Sequence, residues 1–278
     1  SLVITTCLFI LIFFAIIGVF YVAFKGGSPI TFHGNIGVVE ISGIISDPKE
    51  ILEDLVRFEK EDKIRAIVLR IESPGGMVGA AQEIYKEVTK IRQTKKVVAS
   101  LGSVAASGGY YVACGADRIV SNPGTITGSI GVIMEFTNYQ DLLSWAKIKP
   151  KVIKSGLRKD IGSPIREMTL EERAILQDLI DQVHKQFIKA VSEGRSLDIE
   201  VVRALSDGRI FTGAKAMAKG LVDSLGNFQD AVDVAAELVG GVHHPDHLGL
   251  DAQRHGEERL GVGLGRSRAA GRAIGRGV

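Results

Sequence analysis

Hydrophobic and polar positions fall into three regimes along this chain. The first is LVITTCLFILIFFAIIGVFYVAF, residues 2–24, a run of 23 residues without a charge. At about 1.5 Å rise per residue, such a run crosses a hydrocarbon core of roughly 30 Å. It is also longer than the roughly 7–15 residues of a cleavable signal core, and no small-x-small site precedes Lys25. The pattern predicts a retained transmembrane anchor over 1–24 and a Gly/Pro/Ser-bearing linker over 25–35.

From Ile36 to about residue 240 the pattern changes to short apolar runs alternating with amphipathic stretches. IGVVEISGII (36–45) predicts a strand. Residues 47–62 predict a helix, with Asp47 as N-cap and Pro48 at the first helical position. IRAIVLRIES (64–73) is a second strand, broken by SPGG. Residues 77–94 have helical spacing, and KKVVASLGS (95–103) is a third strand. A helix opens near Ala106, and residues 117–133 mix short strands and turns. KPKVIKSG (149–156) is a further strand candidate. Residues 169–195 form a long helix opened by Thr169 and Glu172 in capping-box spacing. Shorter helices follow near 198–206, 213–220 and 228–239. Strands alternating with helices predict an α/β domain over 36–240 with a largely parallel sheet. Continuous apolar strands such as AIVL (66–69) fit a sheet covered on both faces.

The third regime begins past Gly240. Residues 241–278 hold six arginines, no lysine and four of the six histidines, with little apolar periodicity. This composition predicts a disordered tail. Its HHPDH lacks the folded frame and second cluster that a metal site needs.

Composition narrows the function classes. Hydrophobic residues make up 45% and charged residues 24%, the range of a packed globular protein. A net charge of +2 points to no nucleic-acid partner. Cys7 and Cys114, far apart, form neither a disulfide framework nor a metal spacing.

The candidate chemistry centres on GSVAASGGYYVACGAD, residues 102–117. Small residues crowd around Ser107, and Gly108 and Gly109 follow at the start of a helix. That setting favours a developing oxyanion near backbone N–H groups. The same residues also suit a helix N-cap serine with packing glycines, and local sequence does not separate the two. A nucleophilic serine needs a base. Outside the tail the histidines are His33, in the linker, and His184, inside the long helix, so a Ser-His-Asp arrangement has poor support. A lysine whose charged form is penalised by burial can take that role. Lys159, in the glycine-bounded KSGLRKDIGSP, is the candidate, although on local sequence alone a solvated loop lysine is the favoured reading. ESPGG (72–76) supplies Gly75 and Gly76, either of which can bring an N–H to an oxyanion, or simply make a turn. In TITGSIG (125–131), Ser129 is placed to hydrogen-bond a lysine.

SPGG (73–76), GSVAASGGYYVACGAD (102–117), GTITGSIGVI (124–133), IKSGLRKDIGSPIREMT (153–169) and DGRIFTGAKAMAKGLVDSLG (207–226) together resemble the signal peptide peptidase A family in its short, membrane-anchored form. The resemblance covers about 36–240. It implies a fold similar to the Clp protease and crotonase superfamily, with repeated ββα units. It implies a Ser-Lys dyad: Ser107 as nucleophile, Lys159 as general base and acid, and Ser129 supporting Lys159. Gly108 with Gly75 or Gly76 would form the oxyanion hole. It further implies no cofactor or metal, and remnant signal peptides in or near the membrane as substrates. Copies would assemble into a ring or dome, octameric in the short form. The protein would be a single-pass cell-membrane protein in contact with lipid, its catalytic domain outside the cytoplasm. Two alternatives are a related membrane-bound serine protease that cuts a specific membrane protein, and a crotonase-like acyl-CoA enzyme.

Overall fold

The computed structural model describes residues 35–240. The anchor expected over 1–24, nearly all of the 25–35 linker and the 241–278 tail lie outside the described residues. Among the described residues no helix is long and apolar enough to cross a membrane.

Strands β1 (Ile36–Ile45), β2 (Ala66–Gly76), β3 (Lys96–Ala106), β4 (Arg118–Ser121) and β7 (Ser224–Leu225) lie side by side in that order, all parallel. β5 (Ile126–Gly128) pairs with the last residues of β3, beyond the reach of β4, and meets β6 (Ile210–Thr212) antiparallel. The helices are α1 (Lys49–Lys60), α2 (Val78–Ile91), α3 (Gly108–Ala113), α4 (Gln140–Trp145), α5 (Leu170–Arg195), α6 (Ile199–Leu205), α7 (Gly213–Met217) and α8 (Phe228–Leu238). The α/β class with a parallel sheet is as expected. The ββα repetition is not seen in the first half, where β1, β2 and β3 each lead into a single helix.

The period-two rule of strands partitions the core. Val39, Ile41, Ile67, Leu69, Ile71, Ala99 and Leu101 face one side, buried with residues of α1, α2, α3 and α5. Their neighbours Ile36, Val38, Ala66, Val68, Val98 and Val120 face the other, against Ala231 and Ala235 of α8. Coverage on both faces explains why these strands are apolar at successive positions. Fully burying each Leu or Ile contributes about 1.5–3 kcal/mol.

Two devices bend this sheet toward the serine. Between the pairs Ile71↔Leu101 and Ser73↔Ala105, β2 advances two residues while β3 advances four, so β3 bulges at Gly102–Val104. The Glu72 carboxylate repairs the lost ladder by accepting the Ser103 N–H at 2.8 Å and the Val104 N–H at 3.0 Å. A side chain at position 102 would collide with that carboxylate, which accounts for the glycine. On the other edge, SPGG does not end β2 as expected. The strand runs on through Gly76 because β1 follows it, pairing Ile44 with Gly75 and Ile45 with Gly76 after a register shift.

The strand expected at 149–156 is also absent. Residues 150–154 have no regular structure, and Val152 and Ile153 are exposed. Apolar alternation makes a strand only where a sheet edge and a packing face are available, and this segment meets neither within one chain. The α1 cap falls one residue later than expected: Pro48 is the N-cap, its carbonyl accepting the Leu52 N–H at 2.9 Å, and Asp47 before it accepts the Lys49 N–H at 3.0 Å. At α5 the expectation holds. Thr169 Oγ1 accepts the Glu172 N–H at 3.2 Å while Glu172 accepts the Thr169 N–H at 3.0 Å, closing the capping box.

Candidate active site

β3 delivers Ser107 to the end of the sheet, where the chain must reverse into α3. Ser107 takes φ 52°, ψ −121°, a region rarely occupied by a residue with a side chain. Holding it there costs about 1–3 kcal/mol, so the surroundings must over-determine it. They do so from both sides. The Ser107 N–H donates to the Gly128 carbonyl of β5 at 2.9 Å, and the Ser107 carbonyl accepts the Tyr111 N–H at 2.8 Å. Tyr110 anchors α3 below, fully buried, its hydroxyl donating to the Leu221 carbonyl at 2.7 Å. The Ser107 side chain makes no capping hydrogen bond to α3, so its hydroxyl is not spent on the helix.

Ser107 borders a small cavity lined by Gly76, Val78, Ala81, Gly108, Tyr111, Gly131, Val132, Val183 and Phe187. Its walls are mostly apolar, and the Tyr111 ring is held edge-on to Tyr85 and against Phe187, with centroids 5.0 and 4.9 Å apart. Burial raises the Tyr111 phenol and pushes that of Tyr85 up to about 12, so neither supplies a base near neutral pH.

The two candidate glycines of β2 differ. Gly75 (φ +105°) donates its N–H to Ser73 Oγ at 3.1 Å and packs its Cα under the Ser107–Gly108 turn. Gly76 lines the cavity together with Gly108. The Gly108 N–H opens α3 and so has no acceptor within that helix. Ser129 directly follows Gly128, the acceptor of the Ser107 N–H, and is itself at positive φ (51°), its N–H donating to the Arg209 carbonyl at 2.9 Å. The structure thus gathers Ser107, Gly108 and Gly76 at one cavity and brings Ser129 to the adjoining strand end.

Lys159 is not gathered with them. It lies in an exposed turn, its N–H donating to the Gly156 carbonyl at 3.1 Å, and it does not line the Ser107 cavity. It is nonetheless distinct from its neighbours. Lys154 pairs with Asp160, Arg158 with Glu171, and Arg166 with Asp160 and Glu172. Among the described residues no hydrogen bond or ion pair engages the Lys159 amine. His33 lies outside the described residues. His184 is not a cavity residue, and its buried Nε2 has no hydrogen-bond partner. Cys114 is free and buried.

Sequence reasoning missed the α5 contribution. Val183 and Phe187 reach the cavity from a helix that begins far downstream of Ser107. Their i, i+4 spacing on one helix face was the available signal, but nothing local says which cavity that face covers.

The family model described as Peptidase family S49 matches residues 89–241, and that of Clp protease matches residues 39–123. The chain is 47% identical over 215 residues to "Putative protease slr0021" of Synechocystis sp., covering 77% of this chain and 76% of the relative. It is 34% identical over 209 residues to "Putative signal peptide peptidase SppA" of Enterococcus faecium, covering 70% and 61%. It is 37% identical over 215 residues to "Protease 4" of Salmonella typhi, covering 74% of this chain and 35% of the relative.

Proposed function

This chain belongs to peptidase family S49 and is a serine peptidase of the signal peptide peptidase A type, and from that premise we propose that it cleaves remnant signal peptides at the membrane with a Ser107–Lys159 dyad. The observation that carries the nucleophile is the backbone of Ser107: a strained, doubly anchored turn at the edge of a small apolar cavity, with a side chain that makes no capping hydrogen bond. Such strain persists where function uses it.

In this reading Ser107 Oγ attacks the scissile carbonyl and its proton passes to the neutral Lys159 amine. The N–H groups of Gly108 and Gly76 receive the oxyanion, since the Gly75 N–H is already given to Ser73. Lys159 then protonates the departing amine. With Lys159 again as base, water adds to the acyl-enzyme and releases the acid. Ser129, one residue past the strand that holds Ser107, is the group that orients the amine.

Support for Lys159 is its lack of a counter-ion beside Lys154, Arg158 and Arg166, which are all paired, although Lys149 and Lys151 earlier in the same loop are unpaired as well. An unpaired amine moved out of water loses its charge far more readily than a paired one. Because Lys159 does not line the cavity of its own chain, the reading includes self-association. Ile133, Trp145, Ile153 and Leu157, exposed along the arm that carries Lys159, are the surface on which copies meet in a ring or dome. The uncharged run at 2–24 serves as the anchor, with the catalytic domain outside the cytoplasm. The cavity walls suit small apolar side chains, such as signal-peptide cores supply.

The test is hydrolysis of an internally quenched signal-peptide fragment, in liposomes, by the full chain. Ser107→Ala is expected to abolish turnover, and Lys159→Ala to lower it by about 10²–10⁴-fold. Full activity in Lys159→Ala sinks the dyad. Cleavage of water-soluble peptides only, with none of the embedded fragment, sinks the substrate class.

A further inference from the structure

The turn that carries Lys159 is held by a clamp centred on one guanidinium. Arg166 Nε and Nη2 donate to the two carboxylate oxygens of Asp160, each at 2.9 Å, and Nη2 also reaches the Asp160 carbonyl at 3.0 Å. The same guanidinium donates to Glu172 at 2.6 and 2.9 Å and to the Glu167 carbonyl at 2.9 Å. Lys154 Nζ takes Asp160 Oδ1 at 2.6 Å and the Leu157 carbonyl at 2.9 Å. Glu172 is itself fixed as the N3 member of the α5 capping box. The residue after Lys159 is therefore tied, by side chain and by backbone, to the first turn of the helix that supplies Val183 and Phe187 to the Ser107 cavity.

Isolated surface ion pairs contribute little. This one is different in kind, because a planar fork meets two carboxylates and two backbone carbonyls at once. Both acids respond as strongly held carboxylates do. Glu172 is drawn down to about 2 and Asp160 well below the usual range, each chiefly by Arg166.

Asp160 is the carboxylate next in sequence to Lys159, and both its oxygens are already taken. We propose that Arg166 is a positioning residue: by occupying Asp160 and pinning this turn to α5, it leaves the Lys159 amine without a counter-ion. The inference rests on the reading of Lys159 as general base. Without Arg166, Asp160 keeps Lys154 on Oδ1 but has Oδ2 free to pair with Lys159, and a paired ammonium holds its proton to higher pH.

The experiment is the pH profile of kcat/KM for the full chain on an internally quenched apolar peptide, with thermal melts alongside. Arg166→Ala is expected to move the acidic limb up by about one pH unit, which lowers the rate about tenfold on that limb. KM should stay within about threefold, since the cavity is untouched. Adding Asp160→Asn to Arg166→Ala removes the freed carboxylate and should return the limb toward its original place. A residue that merely braced the fold predicts the opposite, a double variant worse than the single. An unmoved limb in Arg166→Ala, or a double variant without recovery, overturns the proposal. If Arg166→Ala does not fold, Arg166→Gln, which keeps much of the side chain and removes the charge, gives the same readout. Lys159→Ala run in parallel separates the failures: full activity there removes the base itself, whereas inactivity there with an unmoved Arg166 limb removes only the clamp.

Discussion

Replacing Gly75 with alanine separates backbone strain from steric collision at the nucleophile. At φ +105°, alanine enters a region that costs about 1–3 kcal/mol on its own. Its new Cβ would lie 2.6 Å from the Gly108 nitrogen, 2.9 Å from Ser107 Cβ and 3.1 Å from the Ala106 carbonyl oxygen. Ordinary contact begins at 3.4 Å, so the turn must retreat by the difference between 3.4 and 2.6 Å, about 0.8 Å. All three crowded atoms belong to the Ala106–Gly108 turn, and none is the end of a flexible side chain. A misplacement near 1 Å at reacting groups can cost about 10²-fold in rate. We therefore expect Gly75→Ala to lose about 2–4 kcal/mol of stability and about 10²-fold or more in kcat. Two other glycines supply the comparison. Gly43 has φ +70° but nothing within 4 Å, so Gly43→Ala should lose about 1–2 kcal/mol and keep its kcat. Gly124 has neither positive φ nor a neighbour within 4 Å, so Gly124→Ala should stay within about 0.5 kcal/mol of the parent. Urea unfolding of the full chain and steady-state peptide hydrolysis measure both quantities. A Gly75→Ala protein with kcat equal to that of Gly43→Ala would refute the argument that β2 and the serine turn are in contact at their limit.

Two further outcomes follow from the charges and the thiol. Burial pushes the Cys114 thiol up to about 12, so in a Cys7→Ser background the native protein should not react with a disulfide reagent at pH 8 until it is unfolded; rapid native-state release of the chromophore contradicts the buried placement. Glu172 sits at about 2 in the folded chain against an ordinary 4.5, so its contribution is complete above about 4.5 and is lost as pH falls toward 2. Unfolding free energies of the parent and Glu172→Gln should therefore converge as pH drops from 6 to 3, and curves that stay parallel contradict the clamp.

How much of this was legible in the sequence differs sharply along the chain. The strands of the core were readable because both faces of the sheet are covered, so each strand is a nearly unbroken apolar run with helical spacing on either side. The capping box of α5 was readable because it is local chemistry at fixed offsets. The continuation of β2 through SPGG was not, since it depends on β1 bending with it. Nor was the failed strand at 149–156, whose alternation promises a partner that the single chain does not provide. The serine itself was visible as an unusual cluster of small residues. The side of the cavity made by Val183 and Phe187, and the Arg166 clamp, depend on where α5 docks, which periodicity does not encode.

The same contrast separates the two halves of the chemistry. The Ser107 half is built on largely buried strands, a bulge closed by Glu72, and two positive-φ turns joined by the bond from the Ser107 N–H to the Gly128 carbonyl. Because Ser129 follows that carbonyl directly, relaxing either turn would disturb the other, and interiors packed at this density shift little. The Lys159 half rides on an arm with exposed Trp145, Ile153 and Leu157, stiffened by its own ion pairs, by the cap of α5 and by bonds between its two limbs such as Tyr139 N–H to the Pro164 carbonyl. For the proposed dyad, an event that completes the site acts on the lysine arm, since the Ser107 backbone is already fixed at both its N–H and its carbonyl. Large apolar side chains displayed beside a clamped, unpaired amine are what such an event would use, because covering them supplies the driving force and removing water from the amine supplies the base.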